Sequence, residues 1–210
     1  MVVKRQWKRF LVRLVPYFKQ RRFLKLLNIK KTGETLNIKG SKFMYAWMTL
    51  VIFGGVFSCL FLIKQGLLFE SNYSLIYLGG GIVFLPIMLY LMLWILPGFM
   101  PGKVLLSIVP KENGIVKYKN TTVLMKDIQN IDLIRNPINL INDIVIESFD
   151  GDKLKIRTYN LLDDIDYEIV VDTYIYPYLT KNAQEVWNRK VNLEKLQRIA
   201  KYERGQQNFD

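Results

Sequence analysis

Three kinds of hydrophobic pattern follow one another along the chain. Between Lys4 and Leu27 apolar residues recur at Trp7, Phe10, Leu11, Leu14, Val15 and Phe18, the i, i+3, i+4, i+7 spacing of one helical face. Arg5, Lys8, Arg9 and Arg13 fall off that stripe. Pro16 interrupts it midway, which leaves open the phase of Arg21 and Arg22 relative to the first half. From Phe43 to Ile63 come 21 residues without a charge, FMYAWMTLVIFGGVFSCLFLI, long enough as a helix for a hydrocarbon layer of about 30 Å. A second charge-free stretch runs from Ser71 to Gly102, with its apolar heart at Leu75 to Leu96 and Pro97 closing it. The pattern predicts a membrane protein with transmembrane helices at 43–63 and 74–97 and an extracytoplasmic linker at 64–73. So short a linker makes the helices antiparallel neighbours in a hairpin. Two buried helices of a soluble core would need a large domain around them, because both stretches are apolar on every side. A signal peptide fits poorly, since about 40 residues rich in charge precede the first stretch.

Beyond Pro97, Pro101 and Gly102 the pattern changes to short apolar runs separated by turn signals, which marks a domain over 102–180. Val104 to Val109 and Ile115 to Tyr118 read as strands around a turn whose Asn113-Gly114 pair suits positive φ. Thr121 to Met125 and Ile128 to Ile134 read as two more. Asp143 to Phe149 and Lys153 to Thr158 form a hairpin turning at Asp150-Gly151, and Leu154 and Ile156 alternate with Lys153, Lys155 and Arg157. From Asp163 to Tyr176 the period suits a helix, with Asp163, Asp164 and Asp166 near its positive end. The β-branched run Ile169, Val170, Val171 supports a competing strand. A polar helix over Asn182 to Arg204 is expected to close the chain, within a C-terminal segment 181–210.

Charge changes this picture mainly at one end. The chain of 210 residues carries net +12, and residues 1–42 hold 13 basic groups against the single acid Glu34. The excess therefore belongs to an N-terminal arm, 1–42, and the remainder is balanced. Thirteen basic residues before the first span against Lys64 alone in the linker place both termini in the cytoplasm of a two-span cell-membrane protein. Trp7, Phe10, Leu14 and Phe18 with Arg13, Arg21 and Arg22 make the arm a candidate membrane-interface helix, its basic side on anionic headgroups. The alternative is a solvated flank that does no more than set topology. Nucleic acid is not an expected partner, because no recognition motif accompanies the charge. Gly54-Gly55 and Gly79-Gly80-Gly81 would let backbones approach closely, within the hairpin or in a homo-oligomer, unless they reflect only how common glycine is in membrane helices. Pro86 should kink the second span.

The stretches ENGIVKY, TVLMKDIQNIDLI and DIVIESFDGDKLKIRTYNL resemble bacterial PH-like (pleckstrin-homology-like) domains. In those a strand leads into an Asp-Ile-x-x-Ile step, here Asp127, Ile128 and Ile131, and a later hairpin turns at Asp-Gly, here Asp150 and Gly151. Two spans ahead of such a domain resemble small bacterial membrane proteins. The resemblance implies an α+β fold, an antiparallel β-barrel or sandwich with a C-terminal helix, and an interaction role. It carries no catalytic residue.

Candidate chemistry is sparse. The chain has no histidine, and its one cysteine, Cys59, lies mid-span without a basic neighbour. Asp163, Asp164, Asp166 and Glu168 lack the spacing of a calcium loop and read as a solvated helix start. Residues 104–180 hold 8 basic and 12 acidic groups, net −4, which disfavours inositol phosphates. No catalytic residue, metal or cofactor is expected. The reading is a membrane-anchored cytoplasmic interaction or assembly module with a protein partner the sequence does not name. The alternative is an immunity-type or envelope-stress protein that neutralises a toxin.

Overall fold

The computed structural model describes residues 28–100 and 102–204. Its first elements are two strands, β1 (Asn28–Thr32) and β2 (Thr35–Lys39), inside the segment expected to be basic arm. The arm boundary at 42 is therefore corrected: residues 28–39 form a hairpin. Its lysines hid it, because Lys30 and Lys31 dominate the count while Leu36 and Ile38, two apart on one face, are buried.

The helices α1 (Lys42–Leu68) and α2 (Ser74–Ile95) follow, then β3 (Val104–Val109). β3 pairs antiparallel with β2, Ile38 opposite Leu106 and Lys39 opposite Val104. The helical hairpin is thus an insertion between two neighbouring strands, and the domain expected at 102–180 begins before it. β4 (Ile115–Tyr118) and β5 (Thr121–Leu124) complete a sheet in the order β1-β2-β3-β4-β5. A second sheet holds β6 (Ile128–Arg135), β7 (Asn142–Ser148) and β8 (Lys153–Arg157). Gly151 has φ 86°, as an Asp-Gly turn requires. Gly114 does not take positive φ; a Cβ there would lie 2.3 Å from the Val109 carbonyl oxygen, so the turn needs glycine for close approach.

Ile38, Leu105, Ile108 and Val116 of the first sheet face one core with Ile128, Ile146 and Ile156 of the second. The helices α3 (Asp164–Tyr174), α4 (Lys181–Lys190) and α5 (Leu193–Ala200) close it. The helix reading of 163–176 prevails because Tyr167, Val170 and Val171 are buried at i, i+3, i+4, and Asp163 caps the start by accepting from the Asp166 amide at 2.7 Å. The single terminal helix expected over 182–204 is two helices, since Val191 leaves the helix and Asn192 caps a new one, accepting from the Lys195 amide at 2.8 Å. The structure is two apolar helices with a β-sheet and helix domain.

The helical hairpin is tighter than expected. α1 runs on through Lys64 to Leu68, so the connection shrinks from 64–73 to 69–73. A Cβ on Gly66 would meet the Leu78 backbone nitrogen at 2.6 Å, and one on Gly81 the Cys59 carbonyl oxygen at 2.9 Å and Ile63 Cγ1 at 2.6 Å. Gly55 faces Met88, whereas Gly54, Gly79 and Gly80 have nothing within 4 Å. α2 continues through Pro86. Gly81→Leu is accordingly expected to destabilise the detergent-solubilised chain by about 1–3 kcal/mol through overpacking. Gly80→Leu is expected to leave the melting temperature within error, and equal melting of the two variants would refute the assignment.

Candidate functional site

The base of the helical hairpin is built onto the domain. The Ser41 amide donates to the Leu161 carbonyl at 2.9 Å, and the Tyr45 hydroxyl to the Gly98 carbonyl at 3.2 Å. Added Cβ atoms on Gly40 and Gly98 would lie 2.7 Å from Leu161 Cβ and 2.6 Å from Tyr159 Cβ. Ile141, fully buried on the loop between β6 and β7, packs with Met48, Ile52 and Ile95 of the two helices. The Arg157 guanidinium lies over the Trp94 ring at 5.0 Å and 3.7 Å from the buried carboxylate of Asp143. These contacts couple the helices to the second sheet, so the hairpin is more than a flexible tether.

Beside this junction lies a cleft made of two concavities of about 380 and 500 Å³ that share Arg135, Asn142 and Asp164 as walls. Its inner end is formed by β6, α3 and the end of α4. There Tyr167, 5% exposed, meets Trp187 edge-on at 5.9 Å, and its hydroxyl has no hydrogen-bond partner. Burial, with Asp132 and Glu168 nearby, pushes the phenol pKa up. Glu168 lines the same end, with Oε2 buried and unpartnered. Burial raises its carboxyl pKa, and Lys195 opposes the rise. Each such buried unpaired group costs about 1–3 kcal/mol. Asp132, by contrast, is engaged by Lys190 at 2.5 Å.

Arg135 and Lys195 line the second concavity together with Asp163 and Asp164, and neither cation makes an ion pair within 4.0 Å among the described residues. Met44, Trp47 and Met48 from the first turns of α1 and Leu140 add apolar surface to the same concavity. Both concavities mix charges of either sign, Arg135 and Lys190 with Asp132, Asp164 and Glu168 in one, and Arg135 and Lys195 with Asp163 and Asp164 in the other. Among the described residues no group of three or more His, Cys, Asp or Glu is placed to hold a metal ion.

The four acids expected to be a solvated helix start are not alike. Asp164 is exposed, Asp163 caps the helix, Glu168 lines the cleft and Asp166 is buried, 3% exposed with Oδ2 unpartnered. The solvated reading fails for Asp166 because the third residue of the helix turns inward, toward the core its neighbour Tyr167 enters. Burial first, and then the Asp163 charge, push its pKa up to about 7. A carboxyl raised in the folded state binds more protons than the unfolded chain between about pH 4 and 7, so its contribution to stability falls as pH rises through that window. Asp166→Asn is expected to remove this slope and to melt higher than wild type at pH 8 but not at pH 4. The gain is about 1.4 kcal/mol per unit of pKa displacement. Parallel pH profiles for the two proteins would contradict it.

Trp7, Phe10, Arg13, Leu14, Phe18, Arg21 and Arg22, the candidate membrane-interface residues, lie outside the described residues. Sequence reading missed Arg135, Tyr167, Trp187 and Lys195 as cleft residues. They come from β6, α3, α4 and α5, and no spacing signal links them.

Comparison with known proteins matches residues 34–197 to a family of unknown function, DUF5381. That stretch runs from the turn before β2 into α5, so it takes in the helical hairpin and every strand from β2 to β8, with β1 outside it. The chain is 28% identical over 162 residues to "Uncharacterized lipoprotein YfjD" of Bacillus subtilis (strain 168), covering 75% of this chain and 88% of that protein. It is 30% identical over 129 residues to "Uncharacterized protein YfjE" of the same organism, covering 59% of this chain and 85% of that one. No solved structure matches the chain.

Proposed function

The chain belongs to the family of unknown function DUF5381, and from that footing we propose that it is a membrane-anchored, non-catalytic interaction module. Its two apolar helices cross the cell membrane as a hairpin, with a PH-like domain and both termini in the cytoplasm. One observation supports this most strongly: β2 and β3, hydrogen-bonded neighbours, flank the hairpin, so that both of its ends return to one domain surface. The helices suit lipid, since only 17% and 11% of their most apolar windows are buried and Phe57, Leu75 and Leu93 are more than 70% exposed. A soluble protein would not leave so large an apolar surface in water. Trp47, Tyr90 and Trp94 lie near the domain end of the helices, where aromatic residues favour a headgroup region. The basic arm adds anionic headgroups as a second membrane contact.

Cysteine labelling in a Cys59→Ser background tests the orientation. Glu70→Cys, in the connection between the helices, is expected to react with an impermeant reagent on intact cells, and Lys119→Cys, in the turn after β4, only after permeabilisation. The reverse pattern would overturn the orientation, and release of the protein by alkaline carbonate would overturn the crossing. Affinity capture from solubilised membranes is expected to return a stoichiometric protein partner. Recovery of the chain alone would remove the interaction role.

A further inference from the structure

The loop between β6 and β7 turns apolar side chains outward beside the helical hairpin. Asn136 to Asn142, NPINLIN, holds no charge, and Arg135 and Asp143 bound it. Within it Ile141 is fully buried, in one cluster with Met48, Ile52 and Ile95 of the helices. Met48 and Ile52 lie about 9 and 15 Å along α1 from Lys42, at 1.5 Å per residue, whereas the charge-free run begins at Phe43. The loop therefore stands beside helix residues that belong to the apolar span. Its other large side chains point away from the core: Ile138 is 73% exposed, and Ile134 and Leu140 on either side of it are exposed as well. Leu140 shares a concavity with Met44 and Trp47 of α1. Its φ of 56° is one that glycine and asparagine take most readily, so the turn itself does not call for a leucine.

The backbone of this loop is closed on itself. The Asn136 amide donates to the Ile141 carbonyl and the Leu140 amide to the Asn136 carbonyl, both at 2.9 Å. The Ile138 and Ile141 amides donate to the side-chain oxygens of Asn136 and Asn139 at 2.9 and 3.0 Å, and Asn160 Nδ2 donates to the Leu140 carbonyl at 3.0 Å. Pro137 has no N–H to satisfy. Irregular backbone enters a region poor in water only with internal partners of this kind.

We propose that the β6–β7 loop dips into the leaflet nearest the domain, with Ile138 and Leu140 at the boundary of headgroups and acyl chains and the exposed Arg135 at headgroup level. The assignment rests on the membrane-crossing reading above, because whatever surrounds the first turns of α1 also surrounds a loop packed on them. Lipid is its cover rather than a second copy, since Leu140 continues the exposed apolar surface of Trp47 on α1. The domain thereby gains a membrane contact of its own, which sets β7 running away from the bilayer.

The test uses the full chain in a Cys59→Ser background, reconstituted in vesicles of phosphatidylethanolamine and phosphatidylglycerol. A fluorophore is attached to Ile138→Cys, Phe149→Cys or Phe57→Cys, three positions whose side chains are exposed. Phe149 is the reference, an apolar residue at the other end of β7, about 20 Å from the loop at about 3.3 Å per residue. Lipid bearing a doxyl group near the top of its acyl chain is expected to quench the Ile138 label about threefold more than the Phe149 label, as for a group about 5–10 Å into the boundary. Aqueous iodide is expected to give the reverse order. The Phe57 label, midway along α1, is expected to respond to doxyl near the methyl end of the chain. Equal quenching of Ile138 and Phe149 by both agents would overturn the proposal. Shielding of Ile138 from iodide without quenching by lipid would overturn lipid as its cover and leave a protein, a second copy included. The same labels separate the two readings: an unquenched Phe57 sinks the membrane crossing, whereas a quenched Phe57 with Ile138 as wet as Phe149 sinks the loop assignment alone.

Discussion

A chain in which Lys39 is joined to Val104 through an Asn-Gly turn, with everything between removed, is expected to fold as a soluble domain, while a fragment of residues 102–180 is expected to be disordered. The two experiments differ in what they do to the core. Lys39 and Val104 are already paired across β2 and β3, so a two-residue turn closes the strands without a change of register. The fragment loses β1 and β2, and with them Leu36 and the fully buried Ile38, and it also loses Ala183 and Trp187 of α4. Each large apolar side chain among these contributes about 1.5–3 kcal/mol by its burial. Their sum approaches the whole stability of a small domain, about 5–15 kcal/mol. Removal of β2 also strips β3 of its partner and turns a central strand into an edge. Far-UV circular dichroism and cooperative thermal unfolding of both chains, at low concentration because excision uncovers Ile141, would decide it. Cooperative unfolding of the 102–180 fragment would contradict the discontinuous domain.

Asp172→Ala is expected to cost about 3–5 kcal/mol, as when a buried charge network loses its centre. Asp172 lies on α3, 1% exposed, and accepts from three directions. Trp187 Nε1 of α4 donates at 2.8 Å, the Tyr202 hydroxyl at 2.7 Å, and Arg204 through Nε at 2.9 Å and also through Nη2. One carboxylate thus ties α3 to α4 and to the chain beyond α5. Alanine would leave the indole N–H buried without an acceptor and the guanidinium without its countercharge. Burial, together with the hydrogen bond to Asp172, pushes the Tyr202 hydroxyl up to about 12, so it remains a donor at every working pH. Asp172→Asn keeps an acceptor and is expected to fall between alanine and wild type. Thermal unfolding in detergent, followed through Trp187, reads the loss. A change below about 1 kcal/mol, the range of an exposed pair, would show the network to be ornamental.

Local pattern carried much of this protein. Charge-free runs located both apolar helices and Asp-Gly located the turn between β7 and β8, while Ile128 and Ile131 of the Asp127-Ile128-x-x-Ile131 step are buried. These features are written within a few residues of one another, because a helix needs only its own length of apolar sequence and a tight turn only its own φ angles. The lysines of β1 and β2 show the limit of counting, since net charge and a strand's buried face are independent properties of the same five residues.

What only the tertiary structure decided is what joins distant segments. Ile38 finds Leu106 across 67 intervening positions that include the whole helical hairpin, and no periodicity in either strand names its partner. Arg135, Tyr167, Trp187 and Lys195 share one cleft although four different elements supply them. Asp166 and Asp164, two residues apart, have opposite environments because a helix turns by 100° per residue and only the packing of α3 says which side faces in. Sequence by itself located both apolar helices and the six strands from β3 to β8, and missed β1, β2 and the break between α4 and α5. Pairing across the chain, burial of individual acids and the joining of the helices to the domain were decided by packing, since those energies exist only when residues far apart in sequence are brought into contact.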